Sequence, residues 1–119
     1  MDKARVVIAD DHVLVREGLR KLLELDSNIK VIDEVGDGQG AINIARKEKP
    51  DIIIMDVNMP GTDGIVATRV IKRELPSVRI IALTVYEGEE VVDMVKAGAS
   101  AYILKDVAGS ELVDTIHRV

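Results

Sequence analysis

Five short apolar runs limit what this chain can fold into. They are Val6-Val7-Ile8-Ala9, Val31-Ile32 with Val35, Ile52-Ile53-Ile54-Met55, Ile80-Ile81-Ala82-Leu83 and Ala101-Tyr102-Ile103-Leu104. A strand wetted on one face alternates apolar and polar residues, whereas a strand covered on both faces does not. Four of the runs are near-continuous and so predict strands buried on both sides. The second carries Asp33 and Glu34 and predicts an edge strand. Between the runs, apolar residues recur at helical spacing: Val15, Leu19, Leu22 and Leu23; Ala41, Ile44 and Ala45; Ala67, Val70 and Ile71; Val91, Val92 and Val95; Leu112, Ile116 and Val119. Pro50, Pro76 and Gly98 mark helix ends, and Ser110 is expected to cap the fifth helix.

Strand and helix thus alternate five times, the pattern of βαβ units. Right-handed crossovers put helices on both faces of the sheet. The expected fold is α/β: a flavodoxin-like, doubly wound (βα)5 parallel sheet of strand order 2-1-3-4-5, since a barrel needs eight units. No linker breaks the 119 residues, so one domain over 1–119 is expected, with no output domain in this chain.

Composition removes several function classes. The chain has no cysteine, which excludes a disulfide framework, a thiolate metal site and a cysteine nucleophile. This fits a reducing cytosol, and the expected location is cytoplasmic. Two tyrosines and no Phe or Trp leave no aromatic platform for stacking bases. A net charge of -5 makes the domain a poor clamp for DNA phosphates by itself. No apolar run approaches the roughly 18 residues of a membrane span, so no membrane partner is expected.

Ligands of open parallel sheets bind beyond the carboxyl ends of the strands. Asp10 and Asp11 follow the first run, Asp56 the third, Thr84 the fourth and Lys105 the fifth. Singly, each has a plainer role. An Asp caps a helix or forms a turn, Asp11 above all; Thr84 is a turn hydroxyl, and Lys105 a solvated charge. Together they are harder to explain structurally. Like charges about 5 Å apart repel by on the order of a few kcal/mol per pair at an effective dielectric of about 20. A divalent cation relieves that repulsion, and oxygen ligands open to water suit Mg²⁺. A tetrahedral anion accounts for Lys105 and Thr84. A carboxylate beside Mg²⁺ and a lysine can also act as a nucleophile, and Asp56 on the central strand is the natural one.

At these residues the sequence closely resembles the receiver domain of two-component response regulators. The matching pieces are Ile8-Ala9-Asp10-Asp11-His12, Ile54-Met55-Asp56-Val57-Asn58-Met59-Pro60-Gly61, Leu83-Thr84 and Tyr102-Ile103-Leu104-Lys105. Arg16-Glu17-Gly18-Leu19 and Lys96-Ala97-Gly98-Ala99-Ser100-Ala101-Tyr102 resemble the NarL/FixJ type. The resemblance implies that Asp56 accepts a phosphoryl group from a partner histidine kinase. It implies that Asp10, Asp11 and Asp56 hold Mg²⁺ with the backbone carbonyl of Asn58, that Lys105 pairs with the phosphoryl group, and that Thr84 and Tyr102 form a switch pair. It implies a signalling domain rather than an enzyme, one catalysing only its own phosphoryl transfer and slow dephosphorylation. Members of this type usually carry a helix-turn-helix domain that binds DNA and controls transcription. They can pair as homodimers through the first and fifth helices, or through the fourth helix, fifth strand and fifth helix.

Two positions depart from the wider family. Asp106 stands where many receivers have a proline after the lysine, so a trans bond is expected; cis costs about 3 kcal/mol at a non-proline residue. Val85 and Tyr86 are bulky where many receivers have a small residue after the threonine.

Other motifs compete. Gly36-Asp37-Gly38-Gln39-Gly40-Ala41 fits a dinucleotide-binding fingerprint, but it follows the edge strand and leaves Asp10, Asp11, Thr84 and Lys105 without a role. A dehalogenase-like phosphatase would need a second Asp where Asn58 stands. His12 and His117 are candidate ligands, His12 as a metal ligand beside the acidic pair, but two lone histidines far apart are expected at the surface, and Met55 and Met59 in packing rather than at a soft-metal site.

Overall fold

Alternate residues of a strand point to opposite faces, so one continuous apolar run supplies two cores. The computed structural model describes residues 3–85 and 88–119. The chain runs β1 (Ala4–Ala9), α1 (Val13–Glu24), β2 (Ile29–Val35), α2 (Gly38–Glu48), β3 (Ile52–Asp56), α3 (Gly64–Glu74), β4 (Arg79–Thr84), α4 (Glu89–Ala97), β5 (Ala101–Leu104), a 3-10 turn (Lys105–Val107) and α5 (Ala108–Arg118). All neighbouring strands pair in parallel, in the expected order β2-β1-β3-β4-β5.

Val7, Ala9, Ile53, Met55, Ile80 and Ala82 face one layer, packed against Ala41 and Ala45 of α2, Ala67 and Ile71 of α3, and Met94 of α4. Val6, Ile8, Ile52, Ile54, Ile81, Leu83 and Ile103 face the other, against Leu19 and Leu23 of α1 and Leu112 and Ile116 of α5. Each strand residue changes layer from the one before it, which makes a helix–sheet–helix sandwich. Among the described residues, no helix is long and apolar enough to cross a membrane.

The amino ends of the three inner strands are tied together by Asp51, just before β3. Its N–H donates to the Arg5 carbonyl at 2.9 Å, its carbonyl accepts from the Arg79 N–H at 3.0 Å, and its side chain accepts from the Arg5 N–H at 2.8 Å.

Three expectations are corrected. The fifth run is not covered on both faces: β5 is the second edge of the sheet, and Tyr102 is 42% exposed. Ser110 does not cap α5, because the helix begins at Ala108 directly from the 3-10 turn. Val91, Val92 and Val95 do not form the inner face of α4. Met94 and Ala97 are buried instead, while Val92 and Val95 are half exposed. Met94 fills the space against α3, its sulfur accepting from the Thr68 hydroxyl at 3.8 Å, and this rotates the two valines outward. Other expectations hold. α4 ends at Gly98 in a left-handed conformation, β2 is an edge, and no described peptide bond is cis.

Candidate functional site

β1 and β3 are adjacent, and Ala9 pairs with Met55, so the residues that follow them emerge side by side. These are Asp10 and Asp56, both buried. Lys105 enters from the end of β5 and places Nζ 3.1 Å from Asp10 Oδ2 and 3.1 Å from Asp56 Oδ2. The ammonium sits at ion-pair distance from both buried oxygens, and beyond it neither Oδ2 has a hydrogen-bond donor among the described residues. Three carboxylates against one ammonium leave the pocket anionic.

Burial pushes the Asp56 carboxyl above its usual pKa. The charge of Asp10 adds to this, and Lys105 opposes it. For Lys105, burial works against the charged form, but the two carboxylates outweigh it and the ammonium is held above its ordinary value.

The remaining expected residues fall around this pair. Asp11 is exposed and does not cap α1. The cap position is His12, whose side chain makes no capping bond. One oxygen each of Asp10, Asp11 and Asp56 and one ring nitrogen of His12 lie within 4.8 Å of one another. Thr84 ends β4 beside β3 and is buried, one step beyond the Asp56–Leu83 pair. Asn58 donates its backbone N–H to Asp56 Oδ1 at 3.3 Å and its side-chain amide to Glu90 Oε2 of α4 at 3.2 Å. Tyr102 lies on the outer strand, paired in register with Ala82. Val85 is exposed, and Tyr86 lies outside the described residues.

The local backbone holds the pocket in place. Gly64 starts α3 against Asp56; a Cβ there would lie 2.1 Å from the Asp56 carbonyl oxygen. Its N–H donates to the Val57 carbonyl at 3.0 Å. Arg16 of α1 donates to the Asp10 carbonyl at 2.6 Å and reaches Glu34 of β2 at 3.4 Å. This arginine clamp is not apparent from sequence. Only its place one turn beyond His12, on the helix leaving Asp10, hints at it.

The competing motifs resolve into structure. Asp37 caps α2 by accepting from the Gly40 N–H at 2.6 Å. Gly38 lies against the loop before α3, where a Cβ would be 2.1 Å from the Thr62 carbonyl oxygen. The glycines therefore serve a cap and a close backbone contact at the edge strand. Met55 and Met59 are core residues. His117 pairs with Asp26 at 2.8 Å, tying α5 to the turn after α1, and that bond holds the Asp26 carboxyl below its usual range.

The acidic donors and two buried oxygens without donors fit a divalent cation. Fold and pocket together define a doubly wound α/β domain with an anionic, lysine-bridged cleft at its switch point. The family model of the response regulator receiver domain matches residues 6–117, and the chain belongs to that family. It is 45% identical over 116 residues to the transcriptional regulatory protein YxjL of Bacillus subtilis, covering 97% of this chain and 53% of that protein. It is 42% identical over 113 residues to LiaR of the same organism, covering 94% and 54%. The chain thus spans about half the length of these curated relatives. A solved LuxR-family two-component response regulator from Aurantimonas sp. superposes with a TM-score of 0.92 at 37% identity, over 98% of this chain and 84% of that one. The isolated REC domain of RcsB from Salmonella enterica serovar Typhimurium, solved with phosphomimetic BeF3-, gives 0.88 at 32% identity over 98% and 87%. Receivers of this family typically bind Mg²⁺ at an acidic pocket, and the donor atoms of the aspartate cluster here lie close enough together to hold a metal ion.

Proposed function

We propose that Asp56 is the phosphoacceptor of this receiver and that a partner histidine kinase is the donor. The observation that carries this is the Lys105 ammonium 3.1 Å from both Asp10 and Asp56. It marks the place where a phosphoryl oxygen gains a cationic partner once Asp56 is esterified. An Asp56 oxygen attacks phosphorus, the P–N bond to the kinase imidazole breaks, and its electron pair returns to the imidazole. Asp10, Asp11 and Asp56, with the Asn58 carbonyl, would hold Mg²⁺, which would supply charge neutralisation on the phosphoryl oxygens. Lys105 takes one phosphoryl oxygen and the Thr84 hydroxyl another. The domain is a signalling switch in the cytoplasm rather than a turnover enzyme, with slow self-dephosphorylation.

The readout is a change at the face of α4, β5 and α5, governed by Thr84 and Tyr102. It is used for partner binding, or for pairing through that face or through α1 and α5. The relatives named transcriptional regulators support a longer protein in which a helix-turn-helix output domain, not this domain, contacts DNA. The test is incubation with acetyl phosphate and Mg²⁺, read by intact mass. One phosphoryl group is expected on the native chain and none on Asp56→Asn. Equal labelling of the two would assign the acceptor elsewhere.

A further inference from the structure

His12 is the one member of the acidic cluster that the phosphoryl chemistry leaves unused. Its Nδ1 lies 3.1 Å from Asp10 Oδ1 and 3.2 Å from Asp11 Oδ1, and the ring is mostly exposed, so a solvated ion can reach it. Two ligands bound cis to an octahedral cation at about 2.1 Å stand about 3.0 Å apart, and trans ligands about 4.2 Å apart. The two nitrogen–oxygen separations are those of a cis edge, and the whole donor set lies within 4.8 Å. Beside the ring, the buried Oδ2 atoms of Asp10 and Asp56 make no hydrogen bond and each faces the Lys105 ammonium at 3.1 Å, so both keep lone pairs to offer a cation.

We propose that His12 Nδ1 is a fourth side-chain ligand in this cation site and gives it a preference for first-row transition ions, Co²⁺ and Ni²⁺ foremost, over Mg²⁺. The proposal rests on the aspartate site described above. Mg²⁺ prefers oxygen donors and keeps several waters, so an imidazole adds little to its binding. Ni²⁺ and Co²⁺ accept imidazole readily and lie higher in the affinity order of divalent metals. The ring gives its Nδ1 lone pair to the ion and carries its proton on Nε2. Without an ion, an Nδ1 proton can serve the two carboxylates instead. One pocket would then take Mg²⁺ through three carboxylates and a transition ion through those carboxylates and an imidazole.

The test uses the whole chain, with Mg²⁺ and Ni²⁺ titrated separately by calorimetry and Co²⁺ followed by its visible absorption and by paramagnetic NMR of the His12 ring. His12→Gln keeps an N–H donor for the carboxylates but removes the imidazole lone pair; Asp11→Ala removes a carboxylate. His12→Gln is expected to weaken Ni²⁺ binding about tenfold or more and Mg²⁺ binding about threefold or less. The native chain is expected to show a strongly shifted His12 ring signal with Co²⁺. Mg²⁺ binding that Asp11→Ala abolishes, with Ni²⁺ affinity unchanged in His12→Gln, would overturn the role of His12 and leave the Mg²⁺ site standing. Ni²⁺ binding that needs His12, in a chain that binds no Mg²⁺, would support His12 and overturn the Mg²⁺ site. Equal weakening of both ions by His12→Gln would show a merely structural ring and overturn the proposal.

Discussion

Lys105 Nζ stands 3.1 Å from Asp56 Oδ2, yet the Asp56 carboxyl remains above its usual pKa, because burial and the neighbouring charge of Asp10 outweigh that single ammonium. A raised folded-state pKa means that the protonated form is the one the fold favours. The contribution is fully present below the unfolded carboxylate value, about 3.9, and is lost as pH rises through the folded value. Asp56→Asn mimics the protonated form at every pH. In metal-free buffer, its stability relative to the native chain is expected to be nearly equal at pH 4 and to grow toward pH 7. Urea midpoints across that range check it; a constant difference would show that ionised Asp56 costs the fold nothing.

Mg²⁺ is expected to act on the same repulsion from the opposite direction. Binding to the folded state alone adds about 1.4 kcal/mol at about tenfold excess over Kd, or about 4–6 °C in melting temperature for a domain of this size. Asp11→Ala is expected to remove most of that rise. A native melting curve insensitive to millimolar Mg²⁺ would count against a cation site.

Signalling is expected to depend on Thr84. In the proposed switch, the Thr84 hydroxyl turns toward Asp56 to bond a phosphoryl oxygen, and Tyr102 on the neighbouring strand rotates inward to fill the space it leaves. A buried tyrosine hydroxyl needs a partner. The backbone expected to supply it, residues 85–88, lies partly outside the described residues. Moving an equilibrium from 1:99 to 99:1 takes about 5.5 kcal/mol, so one hydroxyl bond produces a partial shift. With beryllofluoride bound, the Tyr102 ring resonances are expected to move in the native chain and stay in place in Thr84→Ala. Equal movement in both would remove the coupling.

Two glycines should respond oppositely to alanine. A Cβ on Gly18, in the middle of α1, meets nothing within 4 Å, so Gly18→Ala is expected to stabilise by about 0.5–1 kcal/mol. A Cβ on Gly38 would press on the Thr62 carbonyl, so Gly38→Ala is expected to cost about 1–3 kcal/mol. Chemical denaturation reads both. An unharmed Gly38→Ala would mean that the loop before α3 yields freely.

Much of this was legible because parallel strands covered on both faces leave continuous apolar runs, and the residue after each run is where such a sheet binds ligands. Asp10, Asp56, Thr84 and Lys105 all follow that rule. The inner face of α4 was not legible. In a nine-residue helix, Val91, Val92 and Val95 make one stripe and Val91, Met94 and Ala97 another, and only packing against α3 chooses between them. The start of α5 was hidden for a related reason: the chain passes from β5 through Lys105–Val107 into the helix without a break for a cap at Ser110. The contacts of His12 and Arg16 with Asp10 depend on how α1 leaves the sheet, which no local pattern encodes.

Asp51 gives the domain a fixed pole. With β1, β3 and β4 pinned to one residue at their amino ends, the strands resemble the ribs of a fan held at the rivet. They cannot slide lengthwise past one another without breaking hydrogen bonds at Arg5 or Arg79, so a signal arriving at Asp56 has little outlet along the strands. It must be spent sideways at the open rim, in side-chain rotations and in the helices and turns that follow the strand tips. Two edge strands lie outside the rivet, and the shorter of them, β5 with four residues, carries Tyr102.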